Sequence, residues 1–297
     1  MILISLVGEQ PIPNLLVARA LKPETAVWAY TQRTQEVAER IGRLLPDSMR
    51  PAEPLPSLPP YNAEQARQML DAYLAEHAAS RPTVLNLTGG TKPMALAALA
   101  VAAARNLPFV YLQTEGADTV LYHYRLRDGR FLEEPRSVLP PLVSVADYLR
   151  AHGLEAWFEK TGDRDPLEEL IDPILRRECD EVEANLDFNA FEVDFVIRRG
   201  NKVGVVECKR GLRRDQNAKR AGMDQLVIAS EEKYLGTYTA RILVTDRPLS
   251  PNLRALADAR RIRVVLLPSA QNLARGLLSA DERKLAMAIR DALGTRA

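Results

Sequence analysis

The chain is poor in the residues that build covalent or metal frameworks. It holds two cysteines, Cys179 and Cys208, and three histidines among 297 residues. Two thiols without zinc-ligand spacing exclude a disulfide scaffold and fit a reduced, cytoplasmic setting. His77, His123 and His152 are scattered, and none has the spacing of a metal site or a catalytic triad. No basic segment precedes the first apolar run, so a secretory signal is not expected. The longest apolar tract, residues 94–104, is too short to cross a bilayer, and no membrane partner is expected. A dominant charge sign is also missing: 40 Lys and Arg face 39 Asp and Glu, for a net charge of +1. Any nucleic-acid contact must therefore come from a local basic patch. Neither a Walker lysine loop nor a Gly-x-Gly-x-x-Gly fingerprint occurs, which leaves conventional ATP or dinucleotide binding unsupported.

What is present is 46% hydrophobic content over a length that suits two domains. The first part alternates strand and helix: strands at 2–7, 26–30, 83–87 and 109–114, and helices at 14–21, 34–45, 63–78 and 93–105. Asn14 is read as the cap of the first helix. Such alternation predicts a parallel, doubly wound α/β sheet. Residues 49–60 are proline-rich and must be largely irregular. Segments 120–126 and 130–133, turning at Asp128-Gly129, read as an added hairpin. A composition break at 134 opens a linker, 134–162, with a short helix at 143–152. A second domain, 163–297, follows.

Two loops of the first domain (1–133) fall at carboxyl ends of expected strands, where doubly wound sheets bind ligands. One is Val7-Gly8-Glu9-Gln10-Pro11-Ile12-Pro13-Asn14. The other is Leu87-Thr88-Gly89-Gly90-Thr91-Lys92-Pro93, which leads into a helix with proline in its first turn. Free N–H groups at that helix start, with Thr91 and Lys92, suit a phosphate.

In the second domain Glu192-Val193-Asp194-Phe195-Val196-Ile197 and Val203-Gly204-Val205-Val206-Glu207-Cys208-Lys209 read as paired strands around a turn at 198–202. Alternation puts Glu207 and Lys209 on one face and Cys208 on the other, and places Asp194 opposite Val193 and Phe195. Two carboxylates at one wet edge can hold a divalent cation, and an ammonium beside them can orient water. A helix at 166–177 carries Glu168 and Glu169. A basic run follows the hairpin: Lys209, Arg210, Arg213, Arg214, Lys219 and Arg220, opposed only by Asp215. It can hold a polyanion near carboxylates that repel it. Tyr234 or Trp157 could stack a base.

The order helical Glu, strand Asp, then Glu-x-Lys resembles the PD-(D/E)xK nucleases, a restriction-endonuclease-like fold. Asp194, Glu207 and Lys209 match its core positions. Glu168 is taken as the helical acid, with Glu169 as competitor. The words Ser5-Leu6-Val7-Gly8-Glu9-Gln10-Pro11, Pro13-Asn14-Leu15-Leu16, Tyr30-Thr31 and Leu87-Thr88-Gly89-Gly90-Thr91-Lys92 resemble the Rossmann-like CARF domain. The pairing is similar to the CARF nucleases of type III CRISPR antiviral defence.

The resemblance implies a homodimer that binds cyclic oligoadenylate, cyclic tetraadenylate in particular. Thr88, Gly89, Gly90, Thr91 and Lys92 would grip phosphate and ribose, and Gln10, Asn14 and Thr31 would line the rim. It also implies Mg²⁺ or Mn²⁺ held by Asp194, Glu207 and the Cys208 carbonyl, and cleavage of a nucleic acid, DNA or RNA. Two alternatives stand: a ligand-responsive regulator with an inert nuclease-like domain, and a ring nuclease that degrades the cyclic messenger.

Overall fold

The computed structural model describes residues 1–79, 81–154, 158–159, 164–188, 191–211, 216–231, 234–236 and 238–294. The chain divides into two compact units. The first is residues 1–142 with 150–152; the second is 143–149 with 153–297.

The first unit is built on β1 (Ile2–Leu6), α1 (Ile12–Leu21), β2 (Thr25–Ala29), α2 (Gln35–Arg43), α3 (Ala63–His77), β3 (Thr83–Asn86), α4 (Lys92–Arg105), β4 (Phe109–Glu115), β5 (Asp118–Arg127) and β6 (Arg130–Val138). Its sheet runs β2-β1-β3-β4-β5-β6. The first four strands pair in parallel, and β5 and β6 add antiparallel. All five residues of β1 are buried, as a central parallel strand covered on both faces requires. Leu70, Tyr73 and Leu74 of α3 and Met94, Ala98 and Val101 of α4 share one core with β1 to β4. Between α2 and α3, residues 51–60 form no helix or strand, as their prolines demand. The segment read as linker carries the end of β6 and a helix, α5 (Val145–Ala151).

The first helix begins earlier than capping logic suggested. Pro11 stands at the N-cap of α1, and Asn14 lies inside the helix, fully buried. A proline at a helix start forfeits no hydrogen bond, so the helix needs no Asn cap there.

The second unit contains β7 (Phe158–Glu159), α6 (Pro166–Glu178), β8 (Glu181–Asp187), β9 (Glu192–Arg199), β10 (Lys202–Lys209), α7 (Gln216–Ala229), β11 (Ala240–Thr245), α8 (Pro251–Ala259), β12 (Arg263–Leu266) and α9 (Ser279–Leu293). The sheet order is β12-β11-β10-β9-β8-β7, with β10, β11 and β12 parallel and the rest antiparallel. Asp165 caps α6 by accepting from Leu167 N at 2.8 Å, with Pro166 in the first turn. Leu167, Ile171, Ile174 and Leu175 recur at helical spacing. They pack with Phe195, Val206, Cys208, Val244 and α9 into one core. Arg290 of α9 grips the buried Glu178 of α6 bidentately, Nε and Nη2 donating to its two oxygens at 2.9 and 3.1 Å. No helix among the described residues is long and apolar enough to cross a membrane.

Candidate functional site

In the first unit the chain leaves β1 for β2 on one side and returns to β3 on the other, so the loops after β1 and β3 flank the topological switch point. They meet backbone to backbone. A side chain at Gly89 would place its Cβ 2.3 Å from the Leu6 carbonyl oxygen and 3.0 Å from Gly8 N. Only glycine allows that approach. Gly90 adopts φ +75°, a second glycine requirement.

A buried polar chain fixes the two loops. Asn14 Nδ2 donates to Leu6 O at 3.0 Å, and Asn86 Nδ2 donates to Asn14 Oδ1 at 2.9 Å. Asn86 Oδ1 accepts from Thr88 N and from Thr88 Oγ1, at 3.1 and 2.6 Å. Thr88 Oγ1 in turn accepts from Leu112 N at 2.8 Å. Asn14 and Thr88 were expected to touch a ligand. Both ends of the Asn14 amide and the Thr88 hydroxyl make internal hydrogen bonds that hold the loops together. Asn86 was missed because a lone Asn closing an apolar strand carries no spacing signal.

A crevice of about 690 Å³ opens beside these loops, lined by Gly8, Thr31, Thr34, Tyr61, Gly90 and Thr91 among others. Thr91 caps α4, accepting from Met94 N at 3.3 Å, and donates to the Pro60 carbonyl at 2.5 Å. The proline-rich segment is thereby tied to the crevice wall. Lys92 is exposed at the start of α4. Gln10 is half-buried, and its Nε2 has no partner.

In the second unit three neighbouring strands bring polar residues to one level. Val206 pairs with Phe195, so Glu207 falls opposite Asp194 where the backbone pairing of β9 and β10 ends. There the Cys208 N–H donates to Asp194 Oδ2 at 2.6 Å. On the other side of β9, Ala184 pairs with Phe195 and Leu186 with Val193. Asn185 therefore also stands level with Asp194, at φ +53°.

Glu168 reaches this row from the first turn of α6. It is buried whereas Glu169 is exposed. A helix N-terminus favours a carboxylate by about 0.3–1 kcal/mol. Burial wins here. With Asp194 and Asp165 adding repulsion, it lifts Glu168 from 4.5 to about 7, a rise on the order of 3 kcal/mol.

Glu207 is fully buried, and burial followed by the charge of Asp194 pushes its pKa up. Lys209 donates to Glu207 Oε1. Burial works against the ammonium, but Glu207 and Asp194 outweigh it and raise the Lys209 pKa. The other oxygen, Glu207 Oε2, is buried without a partner. The Cys208 thiol points into the apolar core, and burial keeps it protonated.

Glycine 222 of α7, unremarkable in the sequence, makes room for this pair. A Cβ there would lie 2.8 Å from Lys209 Cγ and 3.2 Å from Glu207 Cγ.

Glu168 and Glu207 each feel the charge of Asp194. Among the described residues, the trio whose ligand atoms lie within 4.8 Å of one another is Glu53, Glu76 and His77 of the first unit. Three like charges in one row repel, and Lys209 and the Cys208 N–H each engage one of them.

The basic run is corrected too. Lys219 is fully buried, and its ammonium donates to the carbonyls of Arg247 and Pro248, each at 3.4 Å. Arg220 is exposed, and Arg210 is partly exposed beside Asp165, at 3.9 Å. Arg213, Arg214, Asp215 and Trp157 lie outside the described residues. Tyr234 packs edge-on against Phe191, ring centroids 4.7 Å apart, which spends that face.

A doubly wound sheet with glycine loops at its switch point defines a Rossmann-like ligand-binding unit. Residues 2–148 match the family model described as the Card1 CARF domain. The N-terminal half of the chain carries a CARF domain.

Solved structures also resemble the chain, among them the following three. Can2 from Sulfobacillus thermosulfidooxidans, in complex with cyclic tetra-adenylate, has a TM-score of 0.73 at 16% identity, over 99% of this chain and 97% of that one. Protein VC1899 from Vibrio cholerae has a TM-score of 0.69 at 13% identity, over 99% of both chains. A type III CRISPR defence DNA nuclease activated by cyclic oligoadenylate has a TM-score of 0.54 at 19% identity; the match spans 85% of this chain and 47% of that one. At these identities the likeness is one of fold, and with Can2 and VC1899 it runs through both halves. No curated protein matches the chain by sequence.

Proposed function

We propose that the chain is a metal-dependent nuclease of the PD-(D/E)xK type whose CARF unit responds to cyclic oligoadenylate, in type III CRISPR defence. The observation that carries this reading is Glu207. A carboxylate is costly to bury, yet this one is wholly enclosed, with one oxygen on Lys209 and the other without a partner. Such a donor, level with Asp194 and near Glu168, fits a hard divalent cation that prefers carboxylate oxygens, Mg²⁺ or Mn²⁺.

In this reading Asp194, Glu207 and the Cys208 carbonyl hold the cation, and Glu168 completes the acidic set. The cation would acidify a bound water and neutralise charge on the scissile phosphate. Lys209 orients that water or steadies the same charge. Arg210 and Arg220 contribute to holding the polyanionic strand.

The crevice beside Gly8, Gly90 and Thr91, with the α4 N-terminus behind it, suits phosphates of the cyclic activator. A two-fold symmetric ring such as cyclic tetraadenylate matches an isologous homodimer. Cytoplasmic residence follows from that role.

The test is cleavage of labelled DNA and RNA with Mn²⁺ or Mg²⁺, with and without cyclic tetraadenylate, by the native chain and Glu207→Ala. Cleavage needing both metal and activator, and lost in the variant, supports the reading. Equal cleavage with and without the activator refutes the switch, and undiminished cleavage by the variant refutes the site.

A further inference from the structure

We infer that Asn185 is a positioning residue for the Glu168 carboxyl, its left-handed backbone turning a strand side chain onto that group while Arg164 holds the amide by its other end. The inference rests on the hydrolase reading above.

The backbone argument comes first. A non-glycine residue at φ +53° costs about 1–2 kcal/mol, least for Asn and Asp. Left-handed residues in strands usually mark a turn or a bulge. Neither is made here. Ala184↔Phe195 and Leu186↔Val193 keep the same register on both sides of Asn185, with no residue inserted. The twist leaves the register intact, drops Asn185 alone from the ladder opposite Asp194 and redirects its side chain. Unusual backbone confined to one residue, with the register kept on either side, points to a local role for the residue that adopts it.

The contacts give that role. In the amide orientation that satisfies both neighbours, Nδ2 donates to Glu168 Oε2 at 3.1 Å and Oδ1 accepts from Arg164 Nε at 3.0 Å. Arg164 is itself held: its guanidinium lies 5.6 Å from the Phe195 ring centroid and reaches Asp172 Oδ2 at 3.4 Å. An N–H facing Arg164 would meet only donors, so Arg164 dictates which end of the amide faces Glu168. The result is a fixed donor on a buried carboxyl at the level of Asp194. Such outer partners set the orientation of acidic groups.

Asn185→Gly separates positioning from folding, because glycine adopts the left-handed backbone without a steric cost. Relief of the backbone and loss of the two hydrogen bonds oppose each other, so its melting temperature should stay close to that of the native chain. Its activator-dependent cleavage should fall roughly tenfold, the loss of one hydrogen bond to an acidic group. Combined with Glu168→Gln, it should cost nothing beyond Glu168→Gln alone, because both changes act through one carboxyl. Asn185→Asp, which sets a second carboxylate against Glu168, should cost more than Asn185→Gly. Wild-type cleavage by Asn185→Gly, or additive losses in the double variant, overturns the inference. If the native chain does not cleave, the hydrolase reading fails by itself. A crystal structure of Asn185→Gly then decides the positioning role: a displaced Glu168 carboxyl supports it, and an unmoved one overturns it.

Discussion

Gly222→Ala offers a sharp test of how the site is packed. An added Cβ would approach Lys209 Cγ to 2.8 Å, Lys209 Cε to 3.0 Å and Glu207 Cγ to 3.2 Å, whereas ordinary contact begins at 3.4 Å. The Lys209 stem must retreat from 2.8 to at least 3.4 Å, about 0.6 Å. Two terms set the stability. Alanine in place of glycine gains about 1 kcal/mol inside a helix, and overpacking costs about 1–3 kcal/mol. The net loss is therefore roughly 0–2 kcal/mol, small enough to leave the fold intact. The effect on chemistry is larger, since a misplacement near 1 Å can cost about a hundredfold. A melting curve and a cleavage assay with Mn²⁺ and cyclic tetraadenylate, run side by side, should show a modest thermal change and a cleavage loss of at least tenfold. Cleavage within about twofold of the native rate would refute the argument that Lys209 needs the space above Gly222.

Asn14→Ala should lower the melting temperature without any ligand, because it strands the Asn86 amide and costs about 1–3 kcal/mol; an unchanged melt would return Asn14 to the crevice rim. Gly89→Ala forces a Cβ onto the Leu6 carbonyl at 2.3 Å, so the thermal shift produced by cyclic tetraadenylate should vanish while the second unit still melts cooperatively by calorimetry. Glu178 is held below the usual carboxylate range by its hydrogen bonds to Arg290, which outweigh burial. A lowered folded pKa stabilises above the unfolded value and loses that contribution as pH falls. Glu178→Gln should therefore melt lower than the native chain at pH 7, with the gap closing below about pH 4.

The sequence made the elements legible wherever burial had a simple period. Residues 2–6 are apolar but for Ser5 because β1 is covered on both faces, and 193–197 and 203–208 are apolar but for Asp194 and Glu207 because both strands enter one core. Alternation correctly separated Glu207 and Lys209 from Cys208. The glycine loops were legible as well, since close backbone approach leaves few alternatives to glycine. What stayed hidden depends on which neighbour a polar group meets. The internal hydrogen bonds of Asn14 and Thr88 show only once Asn86 is placed between them. Lys219 looks solvated until the Arg247 and Pro248 carbonyls are placed beside it. Asn185 and Gly222 meet their neighbours across the fold, from β8 to α6 and from α7 to β10, and no spacing along the chain announces such contacts.

The interior placement of Lys219 also bears on ionic strength. Each phosphate neutralised at a protein surface releases condensed counterions and steepens the fall of affinity with salt by about 0.9 in the logarithmic slope for duplex DNA, about 0.7 for a single strand. A cation spent on two main-chain carbonyls releases none. A polyanion gripped along α7 should therefore dissociate less sharply on raising the salt than a count of the lysines and arginines in that segment would indicate.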